Sequence, residues 1–215
     1  MKLVEVILKS NKTFINKDAE KLRGYMGNIF RNIIAFHNHL DEITFNYNFS
    51  YIQYRVIKGE LVIIGINEGG DILLDNIHNI EEVKIKDEVI KVVPEIKITF
   101  PKIEVTEKLH KYKFETLWFA LNRINYKKYI KGELSLETQL RNNIIEFFKM
   151  CNVWADKEII VKGDFKKEEV YIKDTKILGF AGEFYTNVEI PSGISLGKRK
   201  SIGFGRIKKI NQSLK

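Results

Sequence analysis

The sequence predicts an α+β protein of two tandem ferredoxin-like (RRM-like) domains with antiparallel sheets. Two observations predict it. Over roughly residues 1–100, short segments of alternating or β-branched apolar residues flank segments with helical spacing, in the order β-α-β-β-α-β. Beyond Pro94 and Pro101 the chain begins β-α-β-β again, so a second, degenerate unit is expected. The expected boundaries are 1–105 and 106–215. The duplication is one of topology, without a strict repeat in sequence.

Each element has its own signal. Leu3 to Leu8 has strand character. A polar turn leads to Asp18, a plausible N-cap, and to a helix over Ala19–Ile34, with Leu22, Met26, Ile29/Phe30 and Ile33/Ile34 on one face. Ile43–Ile57 is rich in aromatic and β-branched residues and reads as a strand. Lys58-Gly59 turns it into Leu61–Ile66, making a hairpin. Gly69-Gly70 breaks the chain before a short helix over Asp71–Ile77, and strand sequence runs from Val83 to Phe100.

The second half is expected to open with a strand over Tyr112–Leu121, followed by a polar, Lys-rich crossover. A helix over Leu136–Met150 presents Leu136, Leu140, Ile144/Ile145 and Phe148. Strands follow at Glu158–Val161, Glu169–Ile172 and Lys176–Val188. A Gly-rich loop (Pro191–Ser201) and a short strand (Gly203–Ile210) end the chain.

Composition excludes whole classes. With 44% hydrophobic and 30% charged residues over 215 positions, the chain is neither disordered nor fibrous. Its net charge of +8 is unevenly spread. Lys198, Arg199, Lys200, Arg206, Lys208, Lys209 and Lys215 fall in a C-terminal segment with no acidic residue, so the first 197 residues carry only +1. A polyanion partner fits such a segment, and so does a solvated tail; charge alone does not separate RNA, DNA and a membrane surface. One cysteine, Cys151, permits no intrachain disulfide and fits a reducing compartment; it reads as a small core residue. The N-terminus MKLVEVILKS lacks the apolar core and cleavage site of a signal peptide, and no apolar run is long enough to span a bilayer. A cytoplasmic protein with no membrane association is expected.

Two motifs carry chemistry. Phe36-His37-Asn38-His39 places two imidazoles at i and i+2, which an extended segment turns to one side. Three readings are open: general acid and base, since histidine titrates near 6.5; two metal ligands, with Asp41 the nearest carboxylate; or structural packing at a helix end. His78 and His110 lie in polar, turn-like sequence and read as surface residues. The second motif runs from Gly193 to Arg206 and combines glycines, cations and Phe204. Glycines permit close backbone approach to a phosphate, and exposed N–H groups can form an anion nest. Arg199 follows Gly197-Lys198 where a Walker A loop requires Ser or Thr, so this is not a nucleotide-binding P-loop.

Together these motifs resemble a known family. Leu22-Arg23-Gly24-Tyr25-Met26-Gly27-Asn28-Ile29-Phe30, the Phe36–His39 stretch, Tyr51–Ile57 and Gly65-Ile66-Asn67-Glu68-Gly69 look like the N-terminal domain of CRISPR repeat-processing endoribonucleases of the RAMP superfamily, subtype I-B branch. Leu140–Ile145, Gly179–Phe184 and Leu196-Gly197-Lys198-Arg199-Lys200-Ser201-Ile202-Gly203-Phe204-Gly205 are similar to its C-terminal domain. Ser195 departs from the pattern, where the family more often has Gly.

The resemblance implies metal-independent cleavage of CRISPR precursor RNA within its repeats, with no cofactor. The 2′-OH attacks, leaving a 2′,3′-cyclic phosphate and a 5′-OH. It implies His37 and His39 as catalytic histidines and a downstream tyrosine, for which Tyr47 is the candidate, with Tyr51 close behind. A charge-stabilising cation near the end of the first helix is also implied, and Arg31 is the nearest. RNA contacts would come from Lys198, Arg199, Lys200, Ser201, Gly203, Phe204, Gly205 and Arg206, with Arg23, Gln53 and Tyr54 as secondary candidates. The implied partner is CRISPR repeat RNA; association with other effector-complex subunits and a homodimer are compatible with it. The alternatives are a non-catalytic RNA-binding subunit on the same domains and a metal-dependent nuclease.

Overall fold

The computed structural model describes residues 1–37, 49–172 and 175–210. The chain divides into two compact units: Met1–Pro101 with Ser201–Gly203, and Lys102–Lys200 with the residues from Phe204 onward.

The first unit contains β1 (Leu3–Lys9), α1 (Asp18–Ile29), β2 (Ile52–Ile57), β3 (Glu60–Ile66), α2 (Glu68–Ile77), a hairpin of β4 (Glu82–Ile85) and β5 (Glu88–Lys91), and β6 (Val93–Thr99). Its main sheet is antiparallel, in the order β2-β3-β1-β6. Alternation sets the buried face: Val4, Val6 and Leu8 of β1 are buried while Leu3, Glu5 and Ile7 are half-buried. Against that face lie Leu22 and Met26 of α1 and Leu73 and Ile77 of α2. Burying one such side chain stabilises by roughly 1.5–3 kcal/mol.

The departures from expectation have local causes. Helix α1 stops at Ile29, not Ile34, because Phe30 leaves helical geometry and stacks on Phe36 at 4.3 Å. Asp18 is the first helical residue rather than the cap, and its carboxylate accepts from the Ile15 N–H at 3.0 Å. Gly69-Gly70 starts α2 instead of breaking the chain. A Cβ on Gly69 would lie 2.5 Å from the Tyr51 carbonyl oxygen, so these glycines let the helix approach the sheet. The stretch over Val83–Phe100 is three strands, two of which form the separate β4-β5 hairpin. Of the strand expected over Ile43–Ile57, residues 43–48 lie outside the described residues.

The second unit contains β7 (Glu104–Phe114), α3 (Arg123–Ile130), α4 (Leu136–Met150), β8 (Val161–Ile172), β9 (Thr175–Glu189) and β10 (Ile207–Ile210). The sheet is antiparallel, in the order β10-β7-β9-β8. Both sheets therefore share one strand order, first and third strands central. Between β9 and β10 the helical piece among the described residues is a 3-10 turn, Lys200–Ile202, of which Ser201 and Ile202 group with the first unit.

Aromatic packing builds this core. Tyr112 stacks on Phe184 at 5.4 Å and Phe114 on Trp118 at 5.2 Å. Helix α4 starts on Ser135, whose side chain accepts from the Thr138 N–H, and buries Leu140, Ile144, Phe147 and Phe148. Asn143, also buried on α4, accepts from Trp118 Nε1 at 3.1 Å. The expected opening strand lies eight residues earlier. Backbone pairing with β9 defines β7, while Trp118 and Phe119 after it make only isolated bridges. Of the strand expected at Glu158–Val161 only Val161 is strand; it opens one long strand, β8, that runs through the expected Glu169–Ile172, and the crossover contains a helix, α3. Cys151 is buried at the end of α4, and burial pushes its thiol up to about 12, so it is an inert core residue. Among the described residues, no helix is long and apolar enough to cross a membrane.

Candidate functional site

In the first unit, the chain leaves α1 through a 3-10 turn, Ile34–Phe36, and arrives at His37. Contacts to the backbone, to its neighbour and to its ring hold the histidine. Its N–H donates to the Ile34 carbonyl at 3.1 Å. Its carbonyl accepts from Arg23 Nη2 at 2.8 Å. The preceding carbonyl, of Phe36, accepts from the Tyr54 hydroxyl at 3.0 Å. Its ring Nε2 lies 2.9 Å from the Arg31 carbonyl oxygen. A carbonyl only accepts, so Nε2 carries the proton, and in the neutral imidazole the lone pair belongs to Nδ1. The Arg31 carbonyl thus favours the tautomer with its proton on Nε2.

Helix α1 supplies the floor. A Cβ on Gly27 would lie 3.0 Å from the His37 Cβ, so the glycine admits the histidine against the helix. Arg23, one helical turn before it, is half-buried, and burial works against its charge. It reads as a strut for His37. Arg31 is exposed, and its backbone is what touches His37. His39, Tyr47 and Asp41 lie outside the described residues. Tyr51 is half-buried, and Phe49 packs edge-on to its ring.

Gln53 and Tyr54, expected as RNA contacts, do not reach the surface. Strand β2 is covered on both faces. Tyr54 points into the core, and burial drives its phenol far above the ordinary range, so it serves as a hydrogen-bond donor. On the opposite face, buried Gln53 accepts from Arg55 Nη2 at 2.7 Å. Gly203 lies against this strand, where a Cβ would come 3.2 Å from the Arg55 Cβ. The buried polar pair was not visible beforehand, because alternating polar residues read as a solvent face.

In the second unit, the Gly-rich segment is folded tightly on itself. The N–H groups of Leu196, Lys198, Phe204, Gly205 and Arg206 donate to Gly205, Phe119, Arg199, Leu117 and the Thr116 hydroxyl. They are therefore committed inside the protein rather than available as an anion nest. Phe204 packs on Phe119 at 4.6 Å; Ser201, which groups with the first unit, is buried. The cations divide. Arg206 Nε pairs with Glu115 at 3.0 Å, Lys200 pairs with Glu146, and Lys209 pairs with Glu189 at 2.6 Å. Lys198 is exposed and Arg199 half-buried at a positive φ of 56°. His78 is exposed as expected, while His110 is half-buried, bonds Thr106 and has its pKa lowered chiefly by burial. Among the described residues, no three His, Cys, Asp or Glu side chains gather as a metal set.

Comparison with known proteins shows the family. The family model described as the Cas6b N-terminal domain matches residues 1–104, and that of the Cas6b C-terminal domain matches residues 104–210. The chain belongs to the Cas6b family. A crystal structure of Cas6b, 30% identical, superposes with a TM-score of 0.85 over 98% of this chain and 100% of that one. A crystal structure of a CRISPR RNA processing endoribonuclease Cas6b, 28% identical, gives 0.73 over 98% and 100%. An uncharacterized protein of Methanocaldococcus jannaschii is 35% identical over 152 residues, 66% of this chain and 99% of its own length. A RAMP protein binding different RNA substrates shares the fold at a TM-score of 0.53 and 12% identity. This Cas6b chain is thus a member of a CRISPR RNA-processing endoribonuclease family with two ferredoxin-like units.

Proposed function

We propose that this Cas6b protein cleaves CRISPR precursor RNA within its repeats, without a metal, by internal transesterification. The ribose 2′-OH attacks the adjacent phosphorus, and the 5′-oxygen leaves. The products are a 2′,3′-cyclic phosphate and a 5′-hydroxyl. The observation that carries the reading is the held imidazole of His37, its tautomer set by the Arg31 carbonyl and its backbone clamped by Arg23 and Tyr54.

One histidine of the pair His37 and His39 takes the 2′-OH proton and the other gives a proton to the leaving oxygen. Tyr47 assists, and the Arg31 guanidinium offsets the charge gathering on the phosphorane oxygens. Lys198 and Arg199, with no carboxylate partner among the described ion pairs, hold RNA phosphates. Arg23 and Gly27 are positioning residues.

The positioning claim is testable on its own. Gly27→Ala replaces a helical glycine by the best helix former, a change worth up to about 1 kcal/mol in favour of folding. It also pushes the His37 ring outward by a few tenths of an ångström. Melting temperature is expected to hold or rise, while the single-turnover cleavage rate falls at least about tenfold. A variant that cleaves at the wild-type rate contradicts the role given to Gly27.

The reaction itself is tested by incubating the purified protein with repeat-containing RNA in excess EDTA. Cleavage is expected to persist. Cleavage lost in EDTA and restored by a divalent cation supports a metal-dependent nuclease instead. Tight binding without cleavage in any buffer supports a non-catalytic RNA-binding subunit.

A further inference from the structure

Helix α3, Arg123–Ile130, buries no residue at all. It is held at its rim: Asn122 caps it by accepting from the Asn125 N–H, Asn125 Nδ2 donates to Gln139 at 2.8 Å, and Tyr129 meets Phe180 edge-on at 5.9 Å. At about 100° per residue these anchors, Asn125 and Tyr129, fall on one side. Arg123, Lys127, Lys128 and the following Lys131 fall together on the other, within an arc of about 140°. All four are exposed, and with Ile124 and Glu133 they line a shallow groove of about 300 Å³.

This face is electrostatically unlike the Gly-rich segment. There, Lys200, Arg206 and Lys209 are each paired with a glutamate. On α3, among the described residues, no carboxylate pairs with Arg123, Lys127 or Lys128, and Lys131 has only Glu133 at 3.8 Å. Lysines and arginines held side by side on a rigid helix repel one another, and a polyanion relieves that repulsion. Arg123, Lys127 and Lys131 are spaced i, i+4, i+8, so the charges run as a row with about 6 Å of helix rise between neighbours. A row suits a chain of phosphates better than a single anion.

We infer that α3 is a second RNA-binding surface that takes the sugar–phosphate backbone of the substrate RNA, apart from the Gly-rich segment. The inference rests on the reading of this protein as an RNA-cleaving enzyme. A membrane surface fits the face less well. Interfacial helices separate an apolar face from a basic one, whereas Ile124 falls among the cations here and Ile130 beside them, on a helix of only eight residues.

The test is the triple variant Lys127→Gln, Lys128→Gln, Lys131→Gln, which touches only exposed side chains. Binding is measured against salt with a labelled repeat transcript and a labelled oligouridylate. Three lost phosphate contacts lower the slope of log affinity against log salt by about 2, and weaken binding about 10–100-fold near 0.1 M salt. Backbone contacts carry no sequence information, so both RNAs are expected to suffer alike. A matched triplet of exposed lysines in the first unit, Lys84, Lys86 and Lys91 changed to Gln, controls for net charge and is expected to alter the slope less. An unchanged slope in the α3 variant, or an equal change in the control, overturns the inference while wild-type cleavage leaves the enzymatic reading intact. Loss of binding to phosphatidylserine vesicles with RNA binding unchanged also overturns it, in favour of a membrane. A wild-type protein that neither binds nor cleaves repeat RNA fails the enzymatic reading itself.

Discussion

His37→Ala and His39→Ala are each expected to lower the single-turnover cleavage rate by roughly 10²–10⁴-fold, the scale of losing a general acid or base. RNA affinity should stay within a few-fold of wild type, because the phosphate grip is assigned to Lys198 and Arg199. The double variant should fall little below the worse single variant, since acid and base act in one step. His37 carries a further expectation. Its ring is fixed through Nε2 to the Arg31 carbonyl, so His37→Gln, which can still donate to that carbonyl, should fold as wild type yet cleave as poorly as His37→Ala. Full activity in both alanine variants contradicts the site. Equal loss of binding and cleavage makes the pair an RNA contact rather than the chemistry.

Gly205→Ala is expected to destabilise the protein by about 2–5 kcal/mol. Gly205 has a φ of +66°, a conformation costing an L-residue about 1–2 kcal/mol. A Cβ there would also lie 2.0 Å from the Leu196 carbonyl oxygen, and the atoms nearest it are all Leu196 backbone, with no flexible side chain to yield. Overpacking of this kind adds roughly 1–3 kcal/mol or more. Gly132→Ala is the control. Its φ is +74°, but open space surrounds it, so only the conformational term of about 1–2 kcal/mol applies. Thermal or urea unfolding of the two variants separates the terms. Equal destabilisation would contradict the view that the C-terminal glycines are present for backbone packing.

The order of elements was legible because apolar spacing is a local property. Val4, Val6 and Leu8 announce a strand, and Leu22 and Met26 a helix, without reference to anything distant. Helix α3 was hidden because it lacks a buried stripe and is held by an Asn cap and one Asn–Gln contact. Gln53 and Tyr54 were expected as RNA contacts but are buried, and the burial of this strand depends on chain far away in sequence, including Gly203 against Arg55. The histidine pair was legible as a motif, but its supports were not. Arg23 and Gly27 meet His37 across 14 and 10 residues; Arg23 was expected as an RNA contact and Gly27 only as part of a motif, because apolar spacing along one helix does not show which distant residue packs on it. The Gly-rich segment shows the converse. Its glycines and cations look alike in sequence, yet the N–H groups of Leu196, Lys198, Phe204 and Gly205 are committed to backbone partners and three cations of the C-terminal stretch to glutamates.

The most direct measurement uses two repeat RNAs that differ by one oxygen. Once the cut site is mapped, a substrate with a single 2′-deoxy nucleotide on its 5′ side is compared with the all-ribose substrate in EDTA. Transesterification by the 2′-OH predicts that the deoxy substrate binds with the same affinity and is not cut at all. Cleavage of the deoxy substrate at the same position would show that the nucleophile comes from elsewhere, and would contradict the chemistry assigned to His37 and His39.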